Sequence, residues 1–398
     1  MNSLHFAIAL AGAIAAVALA LLVIRRLLRK SRTWQASQEG DLAKDYPVRT
    51  DWSRSRGKVN YSSFVYFDVD RDGSYSMADR PLGGIQVRLY KNDRHVRRSI
   101  TNINGFANFA SSTRNRKAPL RKPGTFRFEV SVPPGWIATS DNKSQSMPFR
   151  LAPGSPAGIV GERMLTPVGL APERWVRGSG VGDAGMEITM LKGKQKLSHQ
   201  KPDVGKAFRF DVPEDADAIQ LSHGTLKRVI EPGPYPIDFG HLSKDSLRQA
   251  AGTKTQKIDF CDITPDGLKK IPNGYAGLNW FNLNMMSRDF TPNCTGASNG
   301  ATGGYQSCYT SSGHPAEIYS DQPFGLHSMT LTAAWHMAEG ETAVITCWNG
   351  EEKLREDRIV LTTLTPIAYT PMLPSVTHVQ ISPAHHWQII LGDVLIVR

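Results

Sequence analysis

Beyond residue 35 the chain offers hardly any stretch long enough, and free enough of glycine and proline, to sustain a helix. Short runs of alternating apolar and polar residues follow one another instead. With 35 Gly and 25 Pro among 398 residues, turn chemistry breaks them at close intervals. A period of two sends every second side chain to one face, so such runs read as half-buried strands. At roughly 150 residues per domain the length predicts two or three folded units, and the body is expected to be mainly β and modular.

The exception is residues 6–24, "FAIALAGAIAAVALALLVI", 19 apolar residues followed at once by "RRLLRKSR". A helix of that length spans roughly the ~30 Å hydrocarbon core of a bilayer. No Lys or Arg precedes the run and no small-residue cleavage site precedes the basic cluster, so residues 1–32 are expected to be a retained transmembrane anchor rather than a cleaved signal. Residues 33–57 are polar and aperiodic, as a linker would be. Orientation carries a conflict. Arg25, Arg26, Arg29, Lys30 and Arg32 behind the span place the body in the cytoplasm by the positive-inside rule, whereas the modules downstream favour the periplasm or the exterior. The expectation is a single-pass inner-membrane protein with its body on the periplasmic or extracellular side.

The net charge of +11 is uneven: from residue 256 onward 8 Lys and Arg face 13 Asp and Glu, which leaves 39 against 23 in the front of the chain. Such a field steers anionic partners, but no nucleic-acid module accompanies it, and none is expected to bind.

The first folded unit is expected over 58–172. Ile85, Val87 and Leu89 alternate along one strand, and Phe126, Phe128 and Val130 along another. Between the first two strands lies "FDVDRDGSYSMADRPL". With Asp68 as position 1, Asp70 is 3, Asp72 is 5, Gly73 is 6, Ser74 is 7 and Asp79 is 12, the spacing of an EF-hand-like calcium loop. Position 12 is Asp rather than the longer Glu, and the loop leaves a strand rather than a helix. A plain acidic turn is therefore the alternative. The order "FDVDRDGSYSMADRPLGGIQVRLY" then "TNINGFANF" resembles the B-type repeats of serine-aspartate surface proteins and the related Cna-B-like modules. That resemblance implies a β-sandwich with a structural Ca2+ held by Asp68, Asp70, Asp72 and Asp79, with Ser74 at the seventh position.

Residues 173–255 are expected to form a second small β-sandwich, where "FRFDVP" resembles carboxypeptidase regulatory-like modules. Residues 256–398 open with "IDFCDITPDGLKKIPNGYAGLNWFN" and close with "HWQIILGDVLIV". This order is similar to the jelly-roll domains of exported proteins of the PEP-CTERM type, whose first and last segments meet on adjacent strands. The resemblance implies a galactose-binding-like, glycan-facing sandwich, in which Asp259 or Asp262 and Asp393 could share a second Ca2+.

Tyr305 and Tyr309 sit in the Gly-rich run "TGASNGATGGYQSCY" and are expected to be exposed ligand contacts. Trp335 and Trp387 are expected in the core, and Trp280 and Trp348 are the other candidates for stacking on sugar rings. All four cysteines lie in this last unit without a C-x-x-C pair, which argues against zinc, and Cys294 and Cys308 bracket the Gly-rich loop as disulfide candidates. His314 and His385 lack a nucleophile elbow, zinc motif or phosphate loop nearby, so no enzyme is expected. The functional expectation is a membrane-anchored cell-envelope protein with a calcium-stiffened stalk and a jelly-roll head. The head would bind polysaccharide or an envelope protein in adhesion or exopolysaccharide assembly. A membrane-tethered polysaccharide-modifying enzyme and a cytoplasm-facing scaffold of a membrane synthase are the alternatives.

Overall fold

Alternation becomes strands throughout the computed structural model, which describes residues 59–152, 157–231, 233–249, 254–263, 268–287, 295–301 and 306–398. The expected anchor and linker lie outside these residues. Among the described residues no helix is long and apolar enough to cross a membrane. The chain is mainly β, with several sheets around distinct cores.

In the first region the strand Val59–Phe67 has two different partners. Its opening half runs antiparallel to Phe106–Ser111, while its last three residues pair parallel with Val168–Pro172, Val65 opposite Val168. A second antiparallel sheet runs in the order Arg94–Ile100, Gln86–Lys91, Gly124–Val130, Ser144–Leu151, Ile159–Gly161. Both alternating triplets of the sequence, Ile85, Val87, Leu89 and Phe126, Phe128, Val130, enter one core with Phe109, Phe149 and Leu170. The edge strand Arg94–Ile100 is exposed along nearly its whole length. Arg94, Arg97 and Arg98 put charge there, which discourages another strand from adding to the sheet.

The second region carries an antiparallel sheet ordered Gln195–Gln200, Met186–Lys192, Ala218–His223, Leu226–Ile230. Its inner face (Ile188, Met190, Ile219, Leu221) packs with Val176, Phe239 and Leu242. The core does not close within 173–255: Ala368 and Met372, from far down the chain, belong to it.

In the last region the 18-residue strand Ala316–Ala333 organises everything else. Its first residues pair with Asn279–Phe281 and Leu373–Pro383, and after two register shifts its second half pairs with Ile389–Val397 and Ile367–Tyr369. The strand thus serves both sides of one core, which runs from Ile258 through Trp280, Ile345 and Leu391 to Ile396. The first and last segments do lie side by side, since Thr255–Ile258 is antiparallel to Ile389–Val397.

The middle core and the ladders both cross the expected limit at residue 255. Ile237–Asp238 lies parallel both to Trp175–Gly178 and to Ile367–Tyr369, so a single connected sheet crosses residue 255. A buried ion pair sits at this seam. Arg355 Nε lies 2.6 Å from Asp357 Oδ2, with side chains 7% and 1% exposed. Arg355 also donates to the carbonyls of Phe239 and Pro371, while Asp357 accepts from the His241 backbone N–H and the Tyr369 hydroxyl. Gly240 passes so close, at φ +58°, that a Cβ there would stand 2.1 Å from Asp357 Oδ2.

Removing one partner of a buried pair strands the other charge. Asp357→Ala is therefore expected to lower unfolding stability by about 3–5 kcal/mol. Gly240→Ala should be destabilising by the same route, through clash and left-handed strain. Urea unfolding checks both, and a change within error for Asp357→Ala would remove the pair from its structural role.

Candidate functional site

The acidic loop is built on its own backbone. Asp68, fully buried where the first strand ends, accepts the N–H of Arg71 at 2.7 Å on Oδ1 and of Gly73 at 2.9 Å on Oδ2. Asp79, 7% exposed, accepts from Val69 at 2.9 Å and Ser76 at 2.6 Å. Two carboxylates thereby hold both ends of a 12-residue turn, and each oxygen keeps a lone pair free. Gly73 takes φ +78°, where a Cβ would lie 2.9 Å from the Thr139 carbonyl.

Asp68, Asp70 and Asp79 can bring one oxygen each within 4.8 Å of one another, the sole such group among the described residues. Asp72 stands outside it, its carboxylate accepting the Ser74 N–H at 2.7 Å on the exposed side. Charge has accumulated here. The Asp72 N–H draws the Asp70 carboxyl down, but desolvation, a hydrogen bond shared with Asp68 and the charges of Asp72 and Asp79 together leave it raised. Burial, and then the same four aspartates, push the Tyr66 phenol up to about 12. Converging hard oxygen donors with excess negative charge suit a calcium-sized cation. Arg71, with φ +63°, points away from the group and reaches Glu214 at 2.6 Å and the Pro172 carbonyl.

Among the described residues the other expected ligands, Asp259, Asp262 and Asp393, join no group of three. Asp393 pairs with Lys257 at 3.2 Å, Asp259 accepts the Cys261 N–H, and Asp262 accepts the Tyr275 hydroxyl.

Tyr309 corrects the expectation of an exposed contact. It is 7% exposed in the strand Gln306–Thr310, packed with Met286, Ala334 and Ile390 beneath Ala297 of the short helix Thr295–Gly300. The glycine-rich composition suggested an open loop, but part of it folds into a helix that caps the sheet. Tyr305 lies outside the described residues. Cys308, on the opposite face of that strand, is a free and fully buried thiol. Cys294, its expected disulfide partner, lies outside the described residues. Trp387 is a further correction, since it is 38% exposed in the turn before Ile389–Val397 rather than core.

His385 meets a carboxylate, but as a loop anchor. Glu341 is fully buried and accepts the backbone N–H groups of Thr342, His385 and Trp387 as well as His385 Nδ1. Burial opposes its ionisation, and those bonds outweigh it and hold the carboxyl below its ordinary value.

What sequence reading missed is a face. Four neighbouring strands align Asn279, Tyr319, His378 and Trp348 in one row and Phe281, Glu317, Gln380 and Thr346 in the next. The intervening residues, Trp280, Ile318, Val379 and Cys347, point to the core, so both rows take the opposite phase of the sheet, where Thr346 alone is buried. Trp348 stacks on His378 at 4.7 Å and 19°, and Tyr319 meets the same imidazole edge-on at 6.4 Å. Glu317 lies 3.5 Å from His378 Nε2 and accepts from Gln380 at 3.4 Å, and Phe281 is 58% exposed. At about 4.8 Å per strand the platform is roughly 15 Å wide. The local signal was present in "AEIYS", "THVQI" and "ITCWN", each carrying polar or aromatic residues on its outward phase.

No family model matches the chain, and no curated protein matches it. Solved structures give distant likenesses. The TIE protein of Bacillus anthracis has 12% identity and a TM-score of 0.21 over 46% of this chain and 33% of that one, so the chain spans about a third of its length. A variant of the shaft pilin SpaA of Lactobacillus rhamnosus GG has 12% identity and a TM-score of 0.18 over 47% and 96%. A fucolectin from striped bass serum has 11% identity and a TM-score of 0.20 over 54% and 72%. At these TM-scores the likenesses carry no argument about this chain.

Because Tyr309 fills space under the helix, Tyr309→Ala is expected to cost about 3–5 kcal/mol of stability, as for other large aromatic truncations in cores. A melting temperature equal to wild type would return Tyr309 to the surface.

Proposed function

We propose that this protein is a non-catalytic, membrane-anchored envelope protein whose C-terminal region binds polysaccharide through the Tyr319, His378 and Trp348 face. The two-row platform carries the reading. The stacked Trp348 and His378 rings and the edge-on Tyr319 offer apolar area to the C–H face of a sugar, while Glu317 and Gln380 in the adjacent row supply an acceptor and a donor for its hydroxyls. The width suits a few units of a chain rather than one enclosed residue. An envelope protein displaying such a glycan is the companion partner, and nucleic acid is not one.

In this reading residues 6–24 anchor the chain in the inner membrane, with the body on the periplasmic or extracellular side. The acidic loop holds a structural Ca2+ there through Asp68, Asp70 and Asp79. The ion braces the first region rather than switching it, because Asp68 and Asp79 already fix the turn through backbone N–H groups.

A glycan array followed by calorimetry tests the platform. Trp348→Ala is expected to weaken binding by about 2 kcal/mol, roughly thirtyfold, with melting little changed. Absence of binding to any polysaccharide, or equal binding by the variant, would refute the reading. The calcium arm uses melting of chelator-treated protein. Adding Ca2+ at 100 times its dissociation constant should stabilise by about 2.7 kcal/mol, and Mg2+ by much less. Asp70→Asn is the informative variant, since Asp70 does not pin the turn as Asp68 does. It should lose most of that increment while folding normally, and no calcium response in wild type would leave an acidic turn.

A further inference from the structure

A cleft of about 570 Å³ lies between residues 229–231 and 233–237 on one side and the outer side of the sheet formed by Thr255–Ile258, Ala316–Ala333, Ile367–Tyr369 and Ile389–Val397 on the other. It is remote in the fold from the Trp348 platform, and nothing argued above uses it. Its volume falls within the range of small-molecule sites.

Two polar atoms of residues lining it are buried without a hydrogen-bond partner, Asp393 Oδ1 and His327 Nδ1. Folded proteins seldom leave buried polar atoms unmatched, and a charged acceptor is the costliest to leave so. The surroundings are organised rather than accidental. The other Asp393 oxygen faces Lys257 Nζ at 3.2 Å, and the Asp393 N–H donates to Thr330 Oγ1 at 2.7 Å, which leaves the threonine proton available. His327 stands at a register shift between Leu326 and Ser328, and bulges of this kind re-aim a side chain. Burial, then the charge of Arg228, lower the imidazole to about 4, so at neutral pH its nitrogen is uncharged.

From these contacts we infer that the cleft is a binding site for a neutral polyhydroxylated ring, a single sugar unit, held by Asp393, Lys257, Thr330 and His327. A carboxylate beside an ammonium presents an acceptor and a donor side by side, and adjacent ring hydroxyls each both donate and accept. Ile230, Ile237 and Leu395 supply apolar wall for the ring carbons, and no Phe, Tyr or Trp lines the cleft to favour a flat aromatic ligand. Glu231 and Asp393 balance Lys257 and the nearby Arg228, so no net positive charge draws an anionic ligand. The inference rests on its own residues and does not require the platform to bind.

The experiment is calorimetric and NMR titration of the protein with methyl glycosides of neutral hexoses and N-acetylhexosamines, with glucuronate as the charged comparator. Millimolar or tighter binding of at least one neutral glycoside is expected. Asp393→Asn should weaken it at least tenfold and Trp348→Ala should leave it within twofold. Lys257→Met, at a side chain 54% exposed, removes the ammonium without opening a core and should also weaken it. If Asp393→Asn melts early, that second variant decides. No binding by any neutral glycoside would overturn the site, as would binding indifferent to Lys257→Met. Loss on Trp348→Ala alone would move the ligand to the platform, and tighter binding of glucuronate would overturn the ligand class.

Discussion

The Arg355 and Asp357 pair holds together parts of the chain that are far apart in sequence. Arg355 reaches the Phe239 carbonyl and Asp357 the His241 N–H, while both come from the hairpin strand Glu352–Val360. A buried ion pair is not by itself strong evidence of stability, because desolvation offsets much of the attraction. Here its geometric role matters more than its net energy. Four backbone or hydroxyl groups bond the pair, and they add fixed points to segments that the short ladder of Ile237–Asp238 with Ile367–Tyr369 already joins. Apolar contact is non-directional, so ladder and polar cluster together hold the register at the seam.

That seam completes the core of the middle region. A small sandwich buries a smaller fraction of its surface than a large one. The middle region adds to its own apolar interior by taking in Ala368 and Met372 and by joining its short strand Ile237–Asp238 to Ile367–Tyr369. Stalk and head, distinct in the sequence reading, are here physically continuous from residue 173 onward.

Legibility followed the range of the interactions. The triplets Ile85, Val87, Leu89 and Phe126, Phe128, Val130 could be assigned to one face because period-two alternation is local. The turn at 68–79 was equally readable, since its donors and acceptors all lie within 12 residues. Long-range pairing was not readable. The platform needs Tyr319, His378 and Trp348 in register, and residues up to 59 positions apart become neighbours only through strand order. Tyr309 was misplaced for a related reason: composition marks a segment rich in glycine but does not say that Thr295–Gly300 will close over the strand behind it. Asp393 was singled out as a metal ligand on one resemblance, and a single lysine on the adjacent strand gives it a different partner.

The parallel pairing of Val65 to Phe67 with Val168 to Leu170 has a mechanical meaning. Because these two strands run the same way, the chain enters the first region at one end and leaves it at the other. Tension applied along the molecule then pulls the two strands past each other lengthwise. Their inter-strand hydrogen bonds lie across that direction and are strained together in shear, instead of opening one at a time as they would if the strands were peeled apart. The three-pair parallel ladder therefore lies on the path of traction between the two ends of the first region.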